Sequence, residues 1–212
     1  WTKMKKLILA LIILGFYSYS FAGKINKYLD IIPNLGLNFS EIKGDYNVGT
    51  IKGHLGAHAG INLRIGNRIY VNTGVNFYRT SNEISEINMN TSQISRWENT
   101  ETYLRIPALA GYKLIKIGKD NQFNLRVEGG ICIQLLQNFK SVSNTGSKPF
   151  TQDDLKNSNV NAVIGAGFDI FNITCDVHYQ AGIGKAFESS RPNLNEIRHN
   201  VIQVSLGFKI FN

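Results

Sequence analysis

The sequence is poor in residues that would fix a fold by covalent or metal links. It has two cysteines, four prolines and two methionines in 212 residues. Two cysteines cannot form a disulfide framework of the kind that holds small secreted domains together. The strand parities described below place Cys132 and Cys175 on opposite faces, so we interpret both as small buried hydrophobes that do not pair.

Two further absences narrow the function. The 23 lysines and arginines exceed the 15 acidic residues, but they form no basic run of the kind that binds nucleic acid. No apolar run approaches the roughly 20 residues that a membrane-spanning helix needs. Nucleic acid is therefore not an expected partner, and a helical membrane anchor is not expected either.

The N-terminal segment has the pattern of an export signal. Three lysines precede a short apolar run at residues 7–16, and small residues occupy the −3 and −1 positions of the segment 20–22. This pattern predicts a signal peptide over residues 1–22, with Met4 as the initiator. A buried N-terminal helix is the alternative. The mature domain is then expected to span residues 23–212.

Beyond residue 23 the hydrophobic pattern has a period of two and no sustained period of 3.6. At the C-terminal end, residues 202, 204, 206, 208 and 210 are apolar, whereas 203, 205, 207 and 209 are polar or glycine. Such alternation is typical of strands with two different faces. It predicts eight strands, at about 31–40, 53–65, 68–80, 102–115, 123–135, 160–170, 173–184 and 202–210.

The connections between these strands alternate in length. Tight turns are predicted at Gly66-Asn67, residues 118–121 and residues 171–172, whereas long polar loops are predicted at 41–52, 81–101, 138–158 and 186–198. No crossover helix separates the strands. The pattern therefore predicts an eight-stranded antiparallel up-and-down transmembrane β-barrel with short periplasmic turns and long extracellular loops.

The polar face decides which side of the predicted barrel meets lipid. It combines many glycines with charges of both signs, which suits a lumen only just wide enough for side chains. A water-facing surface would be richer in lysine and glutamate, so a soluble lipocalin-like ligand-binding barrel is the alternative and not the favoured interpretation. The expected lumen charge network, structural in role, consists of Arg64, Arg105, Arg126, Glu128, Asp169, Asp176, His178 and Lys209.

Three short motifs suggest a family. They are Pro-Asn-Leu-Gly-Leu-Asn at 33–38, Tyr-Leu-Arg-Ile-Pro-Ala-Leu at 103–109 and Val-Ser-Leu-Gly-Phe at 204–208. With them the chain resembles the outer-membrane β-barrel (porin-family, PorT-like) domain proteins of Bacteroidota. The resemblance implies a barrel with no shared catalytic residues and no open pore. Proline cannot donate to a strand ladder, so Pro107 is predicted to mark a β-bulge.

No constellation for catalysis, metal or cofactor binding emerges. His54 and His58 lie about 13 Å apart on a strand, at about 3.3 Å per residue, and cannot share an ion. Asp176 and His178 share a face, where structural pairing is favoured over a hydrolase pair because no nucleophile motif is present. Asp153-Asp154 lacks the spacing of a calcium loop.

The favoured function is therefore a non-enzymatic outer-membrane barrel that presents its loops for surface interaction, envelope assembly or a secretion complex. Its expected partners are outer-membrane lipid, the barrel-assembly machinery during insertion and a protein bound by the long loops. The alternative is a lipid-modifying barrel enzyme, for which Ser189, Ser190 and His199 are the candidate residues.

Overall fold

The structure is a computed structural model, and it describes residues 28–43, 49–87, 94–118, 122–143, 157–183 and 198–210. In these residues no helix is long and apolar enough to cross a membrane. The predicted signal peptide over residues 1–22 lies outside the described residues.

Strands form wherever the alternating pattern is rich in Val, Ile, Tyr, Phe and Thr, which suit a pleated surface. The short β2 and the following β3 both pair with β4 and are separated only at His54, so they are two parts of one barrel strand. The strands are β1 Leu29–Lys43, β2 Gly49–Gly53, β3 Leu55–Gly66, β4 Ile69–Ile87, β5 Ile94–Ile117, β6 Phe123–Ser143, β7 Ser158–Ile170, β8 Ile173–Gly182 and β9 Arg198–Phe208.

The sheet closes on itself. All pairings are antiparallel, sequence neighbours pair from β3 to β9, and β1 joins β3 to β9. Closure leaves no free edge in the barrel wall, as a hydrocarbon environment requires. The predicted eight-stranded antiparallel barrel is confirmed.

The tight turns lie at the predicted positions and at one end of the barrel. Gly66 and Gly118 have φ angles of 131° and 94°, which glycine adopts without a steric penalty. The β7–β8 turn is made at Phe171, a non-glycine residue with φ of 51°. Both ends of the described chain, at Tyr28 and Ile210, lie at this same end of the barrel, because β1 starts and β9 ends there.

The two faces of the wall have opposite character. Outward-facing Leu35, Ile69 and Ile164 are 65%, 73% and 66% exposed, whereas inward-facing Arg126 and Asp169 are 0% exposed. An apolar exterior around a charged interior is the arrangement of a barrel in a membrane. It excludes the soluble lipocalin-like alternative, which needs an apolar lumen and a polar exterior.

Three of the four predicted loops are wrong in extent. Most of 81–101 continues the hairpin of β4 and β5, whose pairing runs on to Ile87 and Ile94. The start of the predicted loop at 138–158 is likewise strand, since β6 reaches Ser143 and pairs with β5 as far as Trp97. Apolar residues in these segments are sparse and follow no period of two, so their sequence carries no alternation that would reveal them.

The predicted loop at 41–52 is also partly strand, because β1 reaches Lys43 and β2 begins at Gly49. In the fourth predicted loop, 186–198, only Arg198 is among the described residues, and it is the first residue of β9.

The prediction of a bulge at Pro107 is also wrong. Pro107 pairs in continuous register with Cys132 of β6, and the register shifts of this strand pair lie elsewhere, at Thr102/Tyr103 and Lys113/Ile115. On the side of β4 the pairing lapses between Thr73–Ala108 and Asn76–Arg105 without a change of register. The missing proline N–H is thus accommodated by a gap in one ladder and not by an extra residue.

The two cysteines are free and lie on opposite faces, as predicted. Cys132 is buried in the lumen, with only 3% of its surface exposed. Cys175 is half-buried on the outward face, so the interpretation of both as buried is wrong for Cys175. The odd-numbered residues of β8 face outward, so the side chain of Cys175 faces the lipid.

Glycines on the inner face make room for large polar side chains. A Cβ atom at Gly165 would collide with the imidazole ring of His178 on the neighbouring strand, and one at Gly111 would collide with the ring of Tyr70. The narrow lumen has room for these side chains because the residue beside each of them on the neighbouring strand is a glycine, which has no side chain. The lumen contents therefore depend on particular glycine positions.

We predict that Gly165→Val destabilises the barrel and that the neighbouring change Ala166→Val does not. Valine at 165 must displace His178, at a cost of about 1–3 kcal/mol as for other overpacked sites. Ala166 faces outward and is exposed, so valine there meets only lipid. Urea unfolding in lipid vesicles measures both free energies. Equal stabilities of the two variants would contradict this packing.

Candidate functional site

The eight charged residues predicted for the lumen all face it and are buried. Their exposed fractions range from 0% for Arg126 and Asp169 to 8% for Asp176. Each lies on a strand of alternating residues or, for Lys209, directly after one, so the same parity that makes the outer face apolar turns its side chain inward. Six of the eight form one connected cluster, and two stand apart.

Arg126 is at the centre of this cluster. Its Nε donates to Asp169 Oδ1 at 3.2 Å, its Nη1 forms a close ion pair with Asp176, and its Nη2 donates to Thr174. Asp169 is shared, because its Oδ2 also accepts from Arg64 Nη1 at 3.1 Å. The charges of both arginines are therefore offset by carboxylates, which a buried charge requires.

Glu128 forms the second half of the cluster. His178 Nε2 lies 2.6 Å from Glu128 Oε1, Tyr70 donates its hydroxyl to Oε2 at 2.9 Å, and Asn72 Nδ2 donates to Oε1 at 3.1 Å. Arg126 Nη1 is 3.9 Å from Glu128 Oε2 and joins the two halves. The cluster thus connects β3, β4, β6, β7 and β8 across the lumen.

Arg105 and Lys209 are the two residues outside the cluster. Arg105 lies over the ring of Tyr78 at 3.7 Å, and its Nε donates to Gln134 Oε1 at 2.8 Å in the amide orientation that satisfies both groups. Lys209 is 3% exposed. Among the described residues neither has a carboxylate within 4 Å.

Several lumen residues of the site were not identified from the sequence. Tyr70 and Tyr78 are even-numbered residues of β4, as are the inward-facing Asn72 and Asn76. This shared parity could have identified them as lumen residues, although an aromatic ring suggests the apolar face. Glu101 accepts from Tyr103 at 2.7 Å and from Asn82 at 3.1 Å. Glu101 was missed because apolar and polar residues do not alternate in this part of β5.

The cluster does not suit a metal ion. Ligand atoms of Glu128, Asp176 and His178 lie within 4.8 Å of one another, which is compact enough for one. However, the Arg126 guanidinium contacts both carboxylates, and Glu128 already accepts from Tyr70 and Asn72. To bind here, a divalent metal ion would have to displace the positively charged Arg126 guanidinium from both carboxylates.

The described lumen residues also form no catalytic array. Asp176 and His178 do not pair with each other, since the first binds Arg126 and the second binds Glu128. Ser205 Oγ lies 2.9 Å from His58 Nε2, but His58 Nδ1 has no partner, so no acid orients that imidazole. His54 is exposed and His58 is buried, so they are not neighbours.

The side chains of the candidate enzyme residues Ser189, Ser190 and His199 lie outside the described part of the chain, as do Asp153 and Asp154. Nothing in the structure bears on them.

Comparison with known proteins agrees with this architecture. The family model described as outer membrane protein beta-barrel domain matches residues 18–188. No curated protein matches the chain.

Solved structures give only distant likenesses. They include Ail, the attachment invasion locus protein of Yersinia pestis, which is 12% identical with a TM-score of 0.46 over 86% of this chain and 99% of that one. Neisserial surface protein A is 10% identical with a TM-score of 0.46, over 85% of this chain and 97% of that one. The translocator domain of the autotransporter NalP from Neisseria meningitidis is 11% identical with a TM-score of 0.39, over 96% and 97%.

We predict that Arg126→Met lowers the free energy of unfolding by about 3–5 kcal/mol, because it leaves buried carboxylates without a counter-charge. Adding Asp176→Asn should restore part of the loss, since it removes the carboxylate left unpaired. The control is Arg79→Met, whose side chain is exposed on the outer face. Urea unfolding in lipid vesicles measures all three variants, and an effect of Arg126→Met no larger than that of the control would contradict the role of the cluster.

Proposed function

The chain belongs to the outer membrane protein beta-barrel domain family, and from that premise we propose that it binds a partner protein through the part of its wall that rises above the membrane. It is a non-enzymatic barrel in this proposal, closed by its lumen side chains. The observation that carries the proposal is a strand edge in that raised wall with which no described strand pairs.

The raised wall, which we call the protruding sheet, consists of β2, residues 81–87 of β4, residues 94–102 of β5 and residues 137–143 of β6. Beyond Leu104, β5 continues for ten residues to Ile94. This is about 33 Å at 3.3 Å per residue. Short turns of such barrels face the periplasm, so the protruding sheet extends outside the cell.

Most described outward side chains of the protruding sheet are polar, with Val142 as the apolar exception, unlike those of the barrel below it. In β4 they change from the exposed Phe77 to Arg79, and in β5 the exposed residues are Arg96 and Glu98. Polar outward side chains suit water and not hydrocarbon. This change supports a surface that a soluble partner can reach.

Among the described strands the protruding sheet has two edges, one on β2, which pairs with β4 alone, and the other on β6. Pairing between β6 and β7 ends at Leu135 and Ser158, with one further bond from Leu136 N–H to Asn157 O. Residues 138–142 pair with β5 on one side, and no described strand pairs with their other side. Such an edge presents N–H and C=O groups to an incoming extended segment.

Strand addition at this edge is therefore the mode of binding that we propose. Outward-facing Asn138 and Lys140 would flank the added strand, because residue parity changes at Gln137, the extra residue in β6. The partner class is an extended segment of another envelope or extracellular protein. The resemblance to PorT-like barrels of Bacteroidota supports a partner within a secretion or assembly complex.

Photo-crosslinking in intact cells tests this mode. A photoreactive residue at Asn138 or Lys140 should crosslink to one partner protein, whereas the same residue at Arg96, exposed within the sheet on β5, should give at least tenfold less. Equal yields at Arg96, or an absence of protein crosslinks from both edge positions, would contradict strand addition.

We also propose that the chain reaches the outer membrane through a signal peptide cleaved after Ala22 and is inserted by the barrel-assembly machinery. The lysines before the apolar run at 7–16 and the small residues around the proposed cleavage site support this route.

Mass spectrometry of the protein extracted from outer membranes should give Gly23 as its first residue. Replacing Ala22 with a bulky residue should retain the precursor, and Ala10→Leu within the apolar run serves as a control that should still be processed. A mature protein that retains residues 1–22 would contradict the proposed route.

A further inference from the structure

A small cavity lies inside the lumen on the extracellular side of the ion-pair cluster. Its volume is about 30 Å³, and its lining includes Asn76, Tyr78, Arg105, Gln180 and Gln203. One water needs about 10–15 Å³ of such volume, so the cavity accommodates about two waters, or one ion of about the same total size. No acidic residue lines the cavity.

The cavity is lined by a buried positive charge without a counter-ion among the described residues. Arg105 is 3% exposed and has no carboxylate within 4 Å, unlike Arg64 and Arg126, the other two buried arginines of the described part. Its Nε and Nη2 are used by Gln134, whereas Nη1 is buried without a hydrogen-bond partner. The hydroxyl of Tyr78, also buried, has no partner either.

Arg105 has no carboxylate partner because the acidic residues of the ion-pair cluster lie too far from it along the barrel. It pairs in register with Gln134, and Glu128 is six residues further along the same strand. That is about 20 Å at 3.3 Å per residue. Between these two levels, Leu109, Cys132 and Val163 form a buried apolar layer in the lumen. In the other direction, Glu101 is occupied by Tyr103 and Asn82.

We propose that this cavity binds one small inorganic anion of the size of chloride or bromide, held by Arg105 Nη1 and the hydroxyl of Tyr78. Both groups are donors at the same cavity, and the anion would offset a buried charge that is otherwise costly. The rest of the wall consists of neutral amides, His178 and an apolar part formed by Pro107, Leu109, Cys132 and Val163. Sulfate and phosphate, with five heavy atoms, exceed a space for about two waters.

Anomalous diffraction tests the proposal directly. Crystals of the full chain, purified and grown in sodium bromide, should show one bromide peak in the cavity beside Arg105 Nη1. Arg105→Gln should lose that peak. Density for water alone in the wild-type cavity would overturn the proposal, as would a bromide peak that persists in Arg105→Gln.

Unfolding equilibria give a second measurement that does not need crystals. At a bromide concentration of ten times Kd, the apparent unfolding constant should fall about tenfold relative to gluconate at equal ionic strength. Tyr78→Phe keeps the ring beneath Arg105 and should weaken bromide binding about tenfold, as expected for one hydrogen bond to a charged group. Because Tyr78→Phe preserves the packing, it tests the site even if Arg105→Gln does not fold. An equal response of wild type and Tyr78→Phe, or none in the wild type, would overturn the proposal.

Discussion

The constraint on which this structure depends is that a closed barrel in hydrocarbon must satisfy its interior polar groups from within. Hydrocarbon outside offers no hydrogen bonds, and an eight-stranded lumen leaves little space for water. Arg126 meets this constraint by contacting Asp169, Asp176 and Glu128 together. The glycines opposite the large polar side chains follow from the same constraint, because the cluster fits only where the facing strand has no Cβ.

Alternation predicted the barrel well because a single rule sets both faces within the membrane. A strand that is apolar toward lipid and polar toward a filled lumen cannot shift its register by one residue without exposing charges to hydrocarbon. The eight strands, the tight turns and the inward direction of all eight charged residues therefore follow from the sequence. Their partners do not, since contacts such as Arg64 with Asp169 join residues 105 positions apart on strands that are not neighbours.

Hydrophobic alternation does not predict the parts of the strands that lie above the membrane. Apolar residues in 81–101 are sparse and follow no period of two, so the sequence carries no hydrophobic alternation there. These segments resemble loops in composition, although they pair regularly as far as Ile87 and Ile94. Glu101 and Asn82, which bond to each other there, were missed for this reason. The extra residue Gln137 is equally invisible, because a bulge reverses parity without changing composition.

The lumen is layered, and the layering argues against an ion path through the barrel. On the periplasmic side the charges of Arg64 and Arg126 are bound to carboxylates and cannot move independently of them. At mid-height Leu109, Cys132 and Val163 present an apolar layer. A hydrated ion would have to break the ion pairs and then pass this layer, where apolar side chains replace part of its water. Solute passage is therefore not a function that this lumen suits, and the protruding sheet is where the proposed partner would bind.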